Sequence, residues 1–247
     1  MVLRLAAAMS LCVGCTAART QLLEAEAPSG DGLKPYPGES ADGWPPPVPP
    51  PEPPRDDFAG WPAPPPAPPS LLAGVRIAAA AGALVDVPLR VAAPHLPDDC
   101  TGLVRLAYER EGVDLMAAAD RSTTSGVTHI FRLAHARGAL HRERPEPGDL
   151  VFFRETYDRN RDGRLNDGYT HVAIVETVDV DGTVTYVHRG GRGVTRAKMN
   201  LHRPEQRVDA SGRVINDWLR PRSRHAPAAF AAELFVGYGS ARAIAGE

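Results

Sequence analysis

Three residues of this 247-residue chain have the types and order that covalent chemistry needs: Cys100, His171 and His188. The chain holds only three cysteines, Cys12, Cys15 and Cys100, and two of them lie in an apolar N-terminal run. If that run is removed or its cysteine capped, Cys100 has no disulfide partner, which leaves a small buried hydrophobe or a reactive thiol. The local sequence Asp98-Asp99-Cys100-Thr101-Gly102-Leu103-Val104 suits the second reading but alone leaves both open. Either aspartate suits an N-cap, so Cys100 falls in a first helical turn. There free amides and the helix dipole favour the thiolate, which is the nucleophile of cysteine catalysis.

A nucleophile needs a base. His171 stands in Thr170-His171-Val172-Ala173-Ile174-Val175, an apolar strand pattern that presents the ring at a sheet edge. His188 closes the next strand pattern, Tyr186-Val187-His188. Side chains alternate along a strand, so His171 shares a face with Ala173 and Val175. A four-residue loop would pair Val178 with Thr183 and set Ala173 opposite His188, making the two histidines diagonal neighbours. A tight turn at Asp181-Gly182 would instead set Val175 opposite His188, beyond the reach of His171. A His171–His188 pair therefore requires a longer turn or a compensating bulge.

The elements that position these residues begin near residue 71. Helices are expected over 76–85 and 101–111, the second stopped by Gly112. A buried strand over 150–153 follows the turn Pro147-Gly148-Asp149, and strands over 170–178 and 183–188 flank Asp179-Val180-Asp181-Gly182. A further strand is expected over 214–219 and a closing helix over 226–238. Helices first and a sheet after give an α+β domain over 71–240.

Between the first and second of these strands, 158–167 reads Asp-Arg-Asn-Arg-Asp-Gly-Arg-Leu-Asn-Asp. Oxygen ligands at positions 1, 3 and 5 with glycine at 6 match a calcium loop, with Asp158, Asn160, Asp162 and Asp167 as the ligand set. Tyr169 holds the place of the usual bidentate glutamate, and Arg159, Arg161 and Arg164 offset the acids. The other reading is a polar loop closed by Asx turns. Arg154, Arg189 and Arg192 are candidates for a substrate carboxylate, though an ordinary solvated face is the simpler account. His95 is a candidate cleft residue, while His129, His135, His141, His202 and His225 show no ligand spacing.

Ahead of the domain, Arg4, the apolar stretch 5–13 and Gly14-Cys15 form an export-signal pattern over 1–15, too short to span a bilayer. Leu11-Cys12-Val13-Gly14-Cys15 resembles a bacterial lipoprotein signal, which implies acylation at Cys15; plain secretion and an uncleaved segment are the alternatives. Seventeen of the 25 prolines lie within 28–69. Residues 16–70 are thus expected to form a disordered, semi-rigid tether, about 3.1 Å per residue where extended. The formal charge of −2 leaves no electrostatic footprint for nucleic acid.

Together, Asp99-Cys100-Thr101-Gly102-Leu103-Val104, Pro147-Gly148-Asp149-Leu150 with its aromatic strand, and Thr170-His171-Val172-Ala173-Ile174-Val175 resemble the NlpC-type cell-wall cysteine peptidases, a papain-like family related to CHAP amidases. The resemblance covers roughly 71–200. It implies helices packed on a small antiparallel sheet, Cys100 as nucleophile, His171 as base and His188 as the residue orienting it. It also implies a peptidoglycan stem peptide as substrate and no cofactor in catalysis beyond a possible structural calcium. The tyrosine and Trp-Gly-Gly segment that relatives often carry upstream of the cysteine are replaced here by Val-Pro-Leu-Arg-Val-Ala-Ala-Pro-His-Leu-Pro over 87–97. An amidase or acyltransferase on another acyl substrate, and an inactive envelope-binding module, are the competing readings.

Overall fold

The first helix, α1 (Pro69–Gly82), opens on a proline, whose fixed φ and missing N–H suit the first helical position. It therefore starts seven residues before the expected 76. It ends at Gly82, where the missing side chain leaves room for the Glu176 carboxylate. A short helix α2 (Leu89–Ala92) follows, then α3 (Cys100–Glu109), close to the expected span and succeeded by Gly112 at positive φ. A fourth helix, α4 (Gly126–Ala136), is capped by Ser125 and buries Val127, Ile130, Phe131 and Ala134 on one face. In this computed structural model residues 69–117, 125–224 and 226–246 are described. The expected signal with Cys12 and Cys15, the tether up to residue 68, and His225 lie outside them.

A six-stranded sheet carries the rest. Its strands are β1 (Leu140–His141), β2 (Leu150–Arg154), β3 (Tyr169–Val178), β4 (Val184–Gly190), β5 (Gly193–Met199) and β8 (Phe235–Gly239), in the order β1-β8-β2-β3-β4-β5 with every pairing antiparallel. A separate ribbon joins β6 (Trp218–Arg220) to β7 (Ala229–Phe230). The expected strand over 214–219 is thus reduced to an isolated bridge, Val208 to Val214, and the short β6. The closing helix α5 (Ala241–Ala245) lies beyond 240.

The helix expected over 226–238 is a correction. That stretch forms β7, a 3-10 turn over Ala232–Leu234 and β8, an interior strand. Alanines at 226, 228, 229, 231 and 232 suggested a helix, but Phe235, Val236 and Tyr238, with glycines at 237 and 239, fit a pleated surface better.

Strand alternation divides the interior in two. Val172 and Ile174 of β3 join Leu150, Phe152 and Val187 beneath Leu103, Val104 and Ala107 of α3. Ala173 and Val175 face the other way, with Val151, Phe153 and Tyr186, and are covered by the segment containing Ala229, Ala231 and Leu234. The result is a mixed α/β domain with a sheet covered on both faces, in agreement with the α+β expectation. No helix among the described residues is long and apolar enough to cross a membrane.

Candidate active site

Cys100 is the first residue of α3, and Asp99 caps that helix. The Asp99 carboxylate oxygen Oδ1 accepts the amides of Thr101 at 2.8 Å and Gly102 at 3.0 Å, and the Thr101 hydroxyl at 2.6 Å. Threonine after the cysteine thus serves the cap through its hydroxyl. Gly102 allows the preceding turn to fold tightly over the helix: a Cβ there would sit 1.8 Å from the Pro97 carbonyl oxygen. Cys100 is buried, and its thiol meets the backbone N–H of Val172 as well as its own amide and that of Thr101.

The expectation of a thiolate is corrected. Burial pushes the Cys100 thiol up to about 11, the Asp99 charge adds to the rise, and the three amides offset only part of it. The helix start supplies the right dipole, but the closed apolar surroundings outweigh it. At rest the residue is a thiol.

His171 and His188 do meet. The Nε2 atom of His171 lies 3.0 Å from Nδ1 of His188, with the rings edge to face at 84°. How β3 and β4 achieve this is visible in the ladder. Asp179 and Thr183 close the hairpin, with Gly182 at positive φ, and Val178 pairs with Val184. Continued without a break, that register would set Ile174 opposite His188 and turn the two rings to opposite faces. A bulge at Glu176 slips the pairing by one, giving Val175 opposite Tyr186 and Ile174 opposite Val187. Extended by one step, this sets Ala173 level with His188, the expected diagonal arrangement. The hairpin is indeed no plain two-residue turn, and the compensation comes from the bulge. Arg196 of β5 holds the bulge through two bonds to the Glu176 carboxylate, at 2.6 and 2.7 Å.

The rings stand beside Phe153 and Tyr186. Burial lowers His171 to about 3, aided by the charge His188 would carry, and burial lowers His188 to about 4. Both are neutral at ordinary pH. Which nitrogen donates is set by tautomer; a His171 Nε2–H donating to His188 leaves Nδ1 as the free lone pair.

Cys100 and His171 are brought to the same short stretch of β3 but are not hydrogen-bonded to each other. By alternation Val172 faces α3 and His171 faces the second core, so the thiol meets the strand at the amide next to His171. The β3–β4 ladder ends at Ile174–Val187, which leaves His171, Val172 and His188 past its last pair. The loop after β2 is fixed at the same place. The Thr156 amide donates to Thr170 Oγ1 at 2.8 Å, one residue before His171. Tyr157 follows, half exposed, and burial raises its hydroxyl.

The expected calcium set forms a self-bonded loop. Asp158 Oδ2 accepts the Gly163 amide, Asn160 Oδ1 that of Asp162, Asp162 Oδ1 that of Arg164, and Asp167 Oδ2 that of Arg159. Asp158 Oδ1 is buried without a partner, but no group of three or more His, Cys, Asp or Glu among the described residues is gathered to hold a metal. Arg189 is not free for a substrate carboxylate, since its Nε donates to Asp98 Oδ1 at 3.0 Å. His95 lies 3.4 Å from the Glu109 carboxylate, on the exposed side of α3.

No curated protein and no solved structure matches the chain. The family model described as the CHAP domain matches residues 94–190, a stretch that starts just before the α3 cap and ends with β4. CHAP domains are generally hydrolases, amidases or peptidases linked to peptidoglycan, and the matched stretch of this chain is the one that holds Cys100, His171 and His188.

Proposed function

We propose that the domain is a cysteine hydrolase that cleaves amide bonds in peptidoglycan stem peptides, with Cys100 as nucleophile, His171 as base and His188 as the residue that orients the base. One observation carries this reading: the Cys100 thiol rests on the amide beside His171, whose ring is itself bonded to His188.

The chemistry follows from the neutral resting pair. As sulfur attacks the amide carbonyl carbon, the thiol proton passes to Nδ1 of His171, and Nε2–H donates to His188, which stabilises the imidazolium. The carbonyl oxygen becomes an oxyanion within reach of the Cys100 amide, which the Asp99 carboxylate leaves unclaimed while it takes those of Thr101 and Gly102. His171 returns the proton to the leaving amine as the C–N bond breaks, leaving a thioester on Cys100. Water then attacks the thioester, gives its proton to His171, and releases the carboxylate product and the thiol. Because the resting pair is neutral, the proton moves during attack rather than before it.

In this reading the product-bearing domain is exported and anchored through an acylated Cys15, an assignment that rests on Leu11-Cys12-Val13-Gly14-Cys15 alone. The test is covalent labelling with an electrophilic stem-peptide analogue. Wild type is expected to take up one probe at Cys100, with none in Cys100→Ala and a large loss in His171→Ala. A wild type that stays unlabelled sinks the enzyme reading and favours an envelope-binding module.

A further inference from the structure

The turn that presents the nucleophile and the strand end that presents the orienting histidine are tied together by one ion pair. Asp98 precedes the α3 cap, two residues before Cys100; Arg189 follows His188 on β4. Arg189 Nε donates to Asp98 Oδ1 at 3.0 Å across 91 residues of sequence. The side chains are 23% and 32% exposed, and the pair lies at the surface, so its worth in stability is small. Arg189 also bonds the carbonyl of Gly190, which fixes the guanidinium from its own strand. Gly190 in turn makes room for the catalytic ring: a Cβ there would stand 3.1 Å from Cε1 and 3.5 Å from Nδ1 of His188. Arg90 of α2 adds a second positive charge near Asp98.

Where this pair lies matters more than its strength. The β3–β4 ladder has ended before His188, so no strand pairing with β3 holds this end of β4 against the site. On the other side, Asp99 fixes the helix start internally but makes no bond to the sheet. The Asp98–Arg189 bond is the side-chain link that joins the two.

We propose that Asp98 and Arg189 are a positioning pair, which docks the Cys100 turn onto the His188 end of β4 and so sets the thiol against the His171–His188 couple. This rests on the reading of Cys100 as nucleophile. Neither side chain touches substrate; each acts through the residue beside it. A displacement of about 1 Å at a reacting atom costs on the order of a hundredfold in rate, so the pair should matter to turnover far beyond its small share of stability.

The test uses Asp98→Asn, Arg189→Gln, the double variant and Arg189→Lys in the full chain. Three readouts are taken: kcat and KM on a soluble stem peptide, the rate of Cys100 alkylation by iodoacetamide, and the melting temperature. Each single variant is expected to lose roughly ten- to a hundredfold in kcat with KM within about threefold. The double variant should fall no further than the worse single, and Arg189→Lys should recover part of the loss. Alkylation should become faster, because an undocked turn uncovers the thiol, while melting shifts by only a few degrees. An ordinary surface ion pair would leave kcat and alkylation at wild-type values, and that result overturns the proposal. So do single-variant losses that multiply in the double variant, or alkylation that slows in step with kcat. If wild type and Cys100→Ala are equally inactive on the peptide, the nucleophile reading fails instead, and alkylation alone then decides whether the pair docks the turn.

Discussion

Lowering the pH should unfold this domain through its two site histidines. Burial holds His171 at about 3 and His188 at about 4, against about 6.5 in the unfolded chain. Between these values the unfolded state binds a proton that the native state refuses. The stability each ring contributes is therefore complete above pH 6.5 and is lost progressively as pH falls toward the folded values. At about 1.36 kcal/mol per unit, moving from pH 7.5 to 5.0 removes about 2 kcal/mol per ring and about 4 kcal/mol for both. That is a large part of the 5–15 kcal/mol typical of a domain. The lowered carboxyls of Asp98 and Asp181 titrate below this window, and the carboxyl of Glu155, raised by burial and acting in the opposite sense, is common to wild type and variant. The assay is urea unfolding at the two pH values for wild type and His188→Gln. The variant should lose about 2 kcal/mol less than wild type over the same interval. Equal losses in the two proteins would refute the claim that these rings are held neutral by burial.

Further consequences follow from neighbouring contacts. Arg196→Ala removes both bonds to Glu176 and should cost about 1 kcal/mol in urea unfolding while lowering turnover, because the bulge loses its anchor; unchanged turnover would show that the bulge holds its register unaided. Gly102→Ala drives a Cβ into the Pro97 carbonyl, so one of the two backbones must shift. A loss of about 2–3 kcal/mol, together with loss of probe labelling at Cys100, is expected, and wild-type melting with full labelling would contradict the tight turn described over the helix start.

Much of the site was legible because it is written in short stretches. The Asp99 cap, the Pro147-Gly148-Asp149 turn and the apolar run around His171 each act within a few residues, and the structure places all three on the expected elements. Hairpin parity also carried real information: it required a longer turn or a bulge, and the bulge at Glu176 supplies the shift. What was lost depends on distant partners. The ionisation of Cys100 is decided by how completely the sheet and helices close over it, which no helix-start argument contains. Arg189 reads as a surface charge until the fold sets Asp98 beside it. The alanines after 225 suggested a helix, while the interior place of β8 between β1 and β2 is a fact of topology. Helix α4 was missed despite Ser125 and the spacing of Val127, Ile130, Phe131 and Ala134, a pattern that the sequence did contain.

The central claim, that Cys100 acting with His171 hydrolyses an amide of the cell wall, is tested most directly on the wall itself. Purified peptidoglycan is incubated with wild type, Cys100→Ala and His171→Ala, and the soluble products are weighed by mass spectrometry. Wild type is expected to release stem-peptide fragments bearing one new amine and one new carboxylate, with none from Cys100→Ala and only a trace from His171→Ala. Fragment release by Cys100→Ala at the wild-type rate would contradict the account.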